Sequence, residues 1–175
     1  MKRVLVGLGL MVLALCPALP VDGQSRSLRV PIGTPAVRDG LRIAAGYLPW
    51  PAPLDPPPGQ GSEGDLGFHL QIDVDAVAGN PYGLDADDPV PYLRIAFAVN
   101  HAPTGRRHEG VLAPMLSRDG FHYGANVPLP ASGTYTLSIE LRPPEGLARH
   151  TDARTGVQKW WNPFTLTWSF DLVVQ

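Results

Sequence analysis

The chain has 175 residues, room for one domain built on a single core. Its 14 Lys and Arg against 16 Asp and Glu leave a net charge of -2, so electrostatics argue against nucleic acid or an anionic membrane as partner. One cysteine in the whole chain excludes a disulfide framework.

The start reads Met-Lys-Arg, then an apolar run from Val4 to Ala18, then Pro20, Asp22 and Gly23. A short basic region, a short apolar stretch and small residues after it predict a secretory signal peptide over residues 1–23, too short to be a membrane span. Cleavage after Ala18 or after Gly23 fits equally. Cys16 lies inside this leader, and Leu15 is a poor fit to the small residue expected before a lipidated cysteine, so export without a lipid anchor is expected. The mature protein then has no thiolate, although it enters a compartment where disulfides can form.

Residues 24–66 are rich in proline and glycine, with Pro49, Pro51, Pro53, Pro56, Pro57 and Pro58 followed by Gly59, Gly61 and Gly64. Such a stretch cannot hold a helix or a central strand for long, and it reads as an irregular arm with one or two edge strands. Leu28, Val30, Ile32, Tyr47, Leu48 and Trp50 suggest that parts of it pack down.

Strict alternation follows. Phe68, Leu70, Ile72 and Val74 share one side, with His69, Gln71 and Asp73 on the other. The pattern returns at Leu93, Ile95, Phe97 and Val99, at Tyr135, Leu137, Ile139 and Leu141, and from Phe164 to Val174. Period-two alternation enriched in β-branched and aromatic residues predicts half-buried strands. Turn signals separate them: Gly79-Asn80-Pro81, Asp87-Asp88-Pro89, Pro103-Thr104-Gly105, Asp119-Gly120 and Ser132-Gly133. No segment carries a helical stripe with caps. The expected fold is all-β, a single-domain antiparallel β-sandwich of immunoglobulin-like type over residues 67–175.

Chemistry concentrates in one segment, Leu112 to Asn126, where Met115 and His122 flank the Asp119-Gly120 turn. The chain has five histidines and three methionines, and Met1 and Met11 belong to the leader, so a thioether beside an imidazole is a candidate metal site of soft character. The alternation also turns His69 and Gln71 away from the sandwich core. Taken singly, His69 reads as surface decoration, Met115 as core filler and His150 as a loop residue.

Several separate stretches together are more specific. Phe-His-Leu-Gln-Ile-Asp-Val at 68–74, Asn80-Pro81-Tyr82-Gly83, Val90-Pro91-Tyr92-Leu93, Pro114-Met115, Asp119 through Val127, Arg149-His150-Thr151-Asp152, and Thr155-Gly156-Val157 through Trp160-Trp161 to Pro163-Phe164 occur in this order. The set resembles the periplasmic iron-transport accessory proteins typified by the P19 antigen of Campylobacter. Residues before 60 contribute nothing to the resemblance.

The resemblance implies a periplasmic homodimer of immunoglobulin-like sandwiches that binds a copper ion, and possible iron, beside an inner-membrane iron permease. It places metal ligands at His69, Met115, His122 and His150. The family's acidic ligand two residues after the first histidine is replaced here by Gln71. Imidazoles and a thioether suit copper, whereas harder cations want carboxylate oxygens, so the loss of the one anionic ligand favours copper over iron. Gln71, Asp73, Asp119 and Asp152 are expected to act behind the ligands rather than on the metal.

His101 and His108 match no ligand position and read as a charged, solvated hairpin tip; Trp160 and Trp161 read as packing or interface residues. A cupredoxin would need a thiolate that the mature chain lacks. A copper-dependent redox protein or ferric reductase, and a non-catalytic structural sandwich, stand as alternatives to a binding protein. No nucleophile elbow, His-Glu-x-x-His or phosphate loop supports hydrolytic or nucleotide chemistry, and no enzymatic activity is expected.

Overall fold

A computed structural model describes residues 28–55, 67–129 and 131–173; the expected leader with Cys16, the run at 56–66 and the chain end at 174–175 lie outside the described residues. Among the described residues nine strands form two antiparallel sheets and there is no helix. They are β1 (Val30–Arg38), β2 (Leu41–Leu48), β3 (Phe68–Ala76), β4 (Arg94–His101), β5 (Arg107–Val111), β6 (Ala113–Ser117), β7 (Gly120–Val127), β8 (Gly133–Arg142) and β9 (Phe164–Leu172). One sheet has the order β1-β2-β3-β7-β6, the other β5-β4-β8-β9.

The four alternating runs become β3, β4, β8 and β9. Their apolar sides meet between the sheets, where Phe68, Leu70 and Ile72 pack with Ile95, Val99, Leu137 and Ile139, all fully buried. Aromatic rings close one end: Phe68 lies edge-on to Tyr47, Tyr135 and Phe170, and Tyr135 stacks on Phe170 at 5.5 Å. Such offset and edge-on pairs add about 0.5–1.5 kcal/mol each beyond the area they bury.

The stretch before residue 66 differs from its expectation. β1 is an edge strand, but β2 is interior, hydrogen-bonded between β1 and β3 with Leu41, Ile43, Ala45 and Tyr47 in the core. The prolines that suggested an arm cluster from Pro49 onward, after the strand has ended, while Pro31 and Pro35 fall on the edge strand, where a missing N–H is tolerated. The hairpin does have a signal in the sequence: Asp39 and Gly40, at φ 51° and 76°, form the two-residue turn between Arg38 and Leu41. Two successive left-handed residues match the turn whose twist suits a hairpin, and Asp-Gly is its usual sequence.

The second histidine expectation also changes. His101 is buried, its ring 4.7 Å from that of Tyr135, and its two nitrogens reach Thr104 Oγ1 at 2.7 Å and the Ser132 carbonyl at 3.3 Å. It fastens the β4–β5 turn to the start of β8 rather than decorating a tip. His108 is half-buried against Phe97.

Candidate metal centre

β3 alternates, so His69, Gln71 and Asp73 must leave the core together on the outer face of the five-stranded sheet. Strand register brings the remaining donors to that face. His69 lies opposite Asn126 and Gln71 opposite Gly124 on β7, which carries His122 two residues further along the same side. The Asp119-Gly120 turn then folds β6 back so that Met115 lies directly opposite His122, a cross-strand spacing of about 5 Å between Cβ atoms. Gly120 takes φ 106° after the two turn residues. Thus one register places His69, Gln71, His122 and Met115 together, and the turn serves to reverse the chain between two of them.

A solvated face would leave these residues exposed. Instead His69 is 1% exposed, Gln71 4% and His122 5%, with Met115 half-buried at the sheet edge. The cover comes from the segment after β2 and from Arg29. Asn126 Oδ1 accepts from Ala52 N–H at 3.0 Å and its amide donates back to the Ala52 carbonyl at 2.9 Å, pinning residues 49–55 across the face. Arg29 lies over Gly46, donates to the Ala44 carbonyl at 3.1 Å and pairs with Asp73. Two glycines flank Gln71 in its row, Gly46 on β2 and Gly124 on β7. A Cβ on Gly124 would sit 3.0 Å from His69 Nε2, so its absence makes room for that ring.

The hydrogen bonds fix how each imidazole presents itself. Asn126 Oδ1 can only accept, so His69 carries its proton on Nδ1, 2.8 Å away, and Nε2 keeps its lone pair. His122 Nδ1 faces the Gly120 carbonyl at 3.4 Å, another acceptor, and its Nε2 accepts from the Gln71 amide at 3.3 Å. Both rings therefore offer Nε2, the tautomer in which a backbone or side-chain oxygen behind the ring steadies a ligand. Burial is the main reason that both histidines have pKa values below the ordinary range; for His69 the neighbouring His122 pushes the same way, while Asp73 and Asp119 partly oppose the shift at His122. A neutral ring near pH 7 is the form that can ligate.

The ring centroids of His69 and His122 are 5.8 Å apart and nearly perpendicular. With metal–nitrogen bonds of about 2.0 Å and roughly 1.2 Å from nitrogen to centroid, two imidazoles on one ion have centroids at most about 6.4 Å apart, so the pair fits a shared ion. The cross-strand thioether of Met115 makes the donor set intermediate to soft. Among the described residues no three His, Cys, Asp or Glu side chains gather as a metal cluster, consistent with a set whose other members are a thioether and an amide.

His150 is not part of this group. It is exposed in the long connection between β8 and β9. Its tautomer is nevertheless set in the same way: Thr155 Oγ1 donates to Asp152 Oδ2 at 2.7 Å and so accepts from His150 Nδ1 at 2.8 Å, which leaves the lone pair on Nε2. Asp152 also accepts from the Thr155 and Arg154 N–H groups, and these hydrogen bonds, that of the Thr155 hydroxyl foremost, hold its pKa below the ordinary carboxylate range. Asp73 and Asp119 line an open cleft of about 270 Å³ with Arg42, Asp75, Asp87, Pro89 and Phe121. Asn126 is the functional residue that sequence reasoning missed; its place opposite His69 on a neighbouring strand is a matter of register, and only the Gly-Ala-Asn run after His122 hinted at it. Trp160 and Trp161 pack against Tyr82, with ring centroids at 5.3 and 5.2 Å.

Comparison with known proteins agrees with this architecture. A family model described as Fe2+ transport protein matches residues 27–173, and so includes β1 and β2 as well as the part that carried the resemblance. A UPF0423 protein of Brucella abortus (strain 2308) is 35% identical over 158 residues, 87% of this chain and 85% of its own length. The 34 kDa membrane antigen of Treponema pallidum (strain Nichols) is 31% identical over 163 residues, 89% of this chain and 79% of its own. Among solved structures, a copper-bound glutamate-to-glutamine variant of FetP from uropathogenic Escherichia coli strain F11 superposes with a TM-score of 0.78 at 37% identity, covering 84% of this chain and 99% of that one. Copper-reconstituted P19 of Campylobacter jejuni gives 0.76 at 36% identity, covering 82% and 95%. The strand order, the register that gathers the donors and these matches over nearly the whole described chain lead to one conclusion: this protein belongs to the Fe2+ transport protein family.

Proposed function

We propose that this chain is an exported, periplasmic metal-binding protein that holds copper at His69, Met115 and His122 and assists an inner-membrane iron permease, without turning over a substrate. The observation that carries the reading is the pair of buried imidazoles, both fixed with Nε2 unprotonated and that of His122 held only by the Gln71 amide, 5.8 Å apart and opposite a thioether. The copper in the FetP and P19 structures supports that metal, and each of those proteins has a copper-bound variant with a glutamate replaced by glutamine. Iron, which prefers oxygen donors, is the less suited occupant, because Asp73 on the same face is already paired with Arg29. Gln71, Asp73, Asp119 and Asp152 act behind the ligands.

Three donors from one subunit leave a coordination position to fill. His150, exposed and with its lone pair on Nε2, suits that position when supplied by the second subunit of a homodimer. Met115 lies on the edge strand β6 next to Leu116, which is 83% exposed, so a partner can approach the site there. The test is titration of the metal-free mature protein with Cu(I), Cu(II) and Fe(II), followed by elemental analysis. One copper per subunit is expected, with binding abolished or weakened at least a hundredfold in His122→Ala, a loss of about 2.7 kcal/mol or more. Tight stoichiometric copper in that variant refutes the assignment, and His150→Ala should weaken copper binding and dimerisation together.

A further inference from the structure

Gln71 occupies the middle of the donor cluster and is almost wholly buried. Its amide nitrogen donates to His122 Nε2, the same lone pair that a cation would take. In the metal-free protein this contact satisfies a buried imidazole nitrogen that would otherwise be left without a partner. Loading therefore requires the amide to turn off His122. What then meets the ion is two neutral imidazoles and a thioether, with the neutral amide beside them, none of which brings negative charge. The next side chain along that face of β3 is Asp73, and Arg29 already neutralises it.

A buried ion surrounded by neutral donors keeps its whole charge, and the penalty for holding charge away from water grows with the square of that charge. A monovalent ion is thus favoured twice, by lower charge and by the softness of the thioether. We propose that Gln71 makes this centre selective for Cu(I) over divalent ions, Cu(II) and Fe(II) alike, by placing a neutral amide where a carboxylate would admit a second positive charge. The inference rests on the reading of His69, Met115 and His122 as copper ligands.

The experiment measures affinities and a potential rather than activity. Wild-type protein is titrated with Cu(I) under reducing conditions, with Cu(II) and with Fe(II), each in competition with a colorimetric chelator of that ion. Cu(I) should bind at least a hundredfold more tightly than Fe(II) and more tightly than Cu(II). This arm needs no variant, and equal affinities overturn the proposal. In Gln71→Glu, Cu(II) binding should strengthen at least tenfold while Cu(I) stays within threefold, so that the Cu(II)/Cu(I) potential falls by about 30 mV or more. Gln71→Leu, which removes the amide without adding charge, should not lower the potential. A lowered potential in Gln71→Leu, or equal strengthening of both copper ions in Gln71→Glu, assigns the effect to packing and overturns the proposal. Failure of wild-type protein to bind either copper ion instead removes the ligand assignment itself.

Discussion

Asn126→Ala tests how the buried face is held together. The substitution removes three hydrogen bonds: to His69 Nδ1, to Ala52 N–H and from the Asn126 amide to the Ala52 carbonyl. At about 1 kcal/mol net for each neutral bond the loss is about 3 kcal/mol. For a chain of this size, about 2–4 °C per kcal/mol, the melting temperature should fall by about 6–12 °C. Two local readouts separate this cause from general destabilisation. Amide exchange at Ala52 should rise toward that of an open loop, because its only described partner is Asn126. Without an acceptor behind Nδ1, the His69 ring is also free to protonate Nε2 instead, and copper affinity should drop by about 10–100-fold, as for other groups that steady a ligand from behind. Asn126→Asp keeps the acceptor oxygen but loses the donor to Ala52, so it should retain more copper affinity than Asn126→Ala. A stability change under 1 kcal/mol with unchanged protection at Ala52 would refute the claim that Asn126 pins the cover to the site.

Gly124→Ala should harm metal binding more than folding: Gly124 has no left-handed backbone requirement, yet the new Cβ would lie 3.0 Å from His69 Nε2 and 3.0 Å from the Leu70 carbonyl. Copper affinity should fall at least tenfold with a loss of stability of about 1–3 kcal/mol; unchanged affinity by competition titration would show that the ring has room elsewhere. The pH dependence follows from the depressed histidines. Below about pH 6.5 the unfolded chain takes up protons that buried His69 and His122 resist, so unfolding is favoured as pH falls, by up to about 1.4 kcal/mol per pH unit for each ring. Denaturant melts of metal-free protein between pH 7.5 and 5.5 should show that slope, and it should flatten when both histidines are replaced by glutamine.

Much of the fold can be read from residue spacing. β4, β8 and β9 are each half-buried, so one face must be apolar and the period of two is written directly into the sequence; β3 keeps the same period because its covered outer face carries His69, Gln71 and Asp73. β6 and β7 were harder to read: Gly120–Val127 buries both faces along much of its length, and Tyr123 in the core sits beside His122 and Gly124, equally buried on the other side. There both faces are covered and glycine and alanine interrupt them, so the alternation disappears. β2 suffered from its neighbours, because the prolines that follow it dominate the composition of a wider window although they fall outside the strand.

For the site, residue types and order named the donors: an imidazole on the outer face of β3, and a thioether and an imidazole on either side of an Asp-Gly turn. Those choices are local, fixed by strand alternation and by a two-residue loop that sets the Met115–His122 register. The burial of that face, the tautomer of each ring, the Gln71 contact to His122 and the role of Asn126 were decided only by tertiary structure. Each depends on residues far apart in sequence, Arg29 against Asp73 and Ala52 against Asn126, which only strand order and register bring together. The separation of His150 from the other donors has the same origin. A sequence records which donors a chain possesses, but the position of a donor on a long connection is set by how that connection packs, and in this subunit it packs away from His69 and His122.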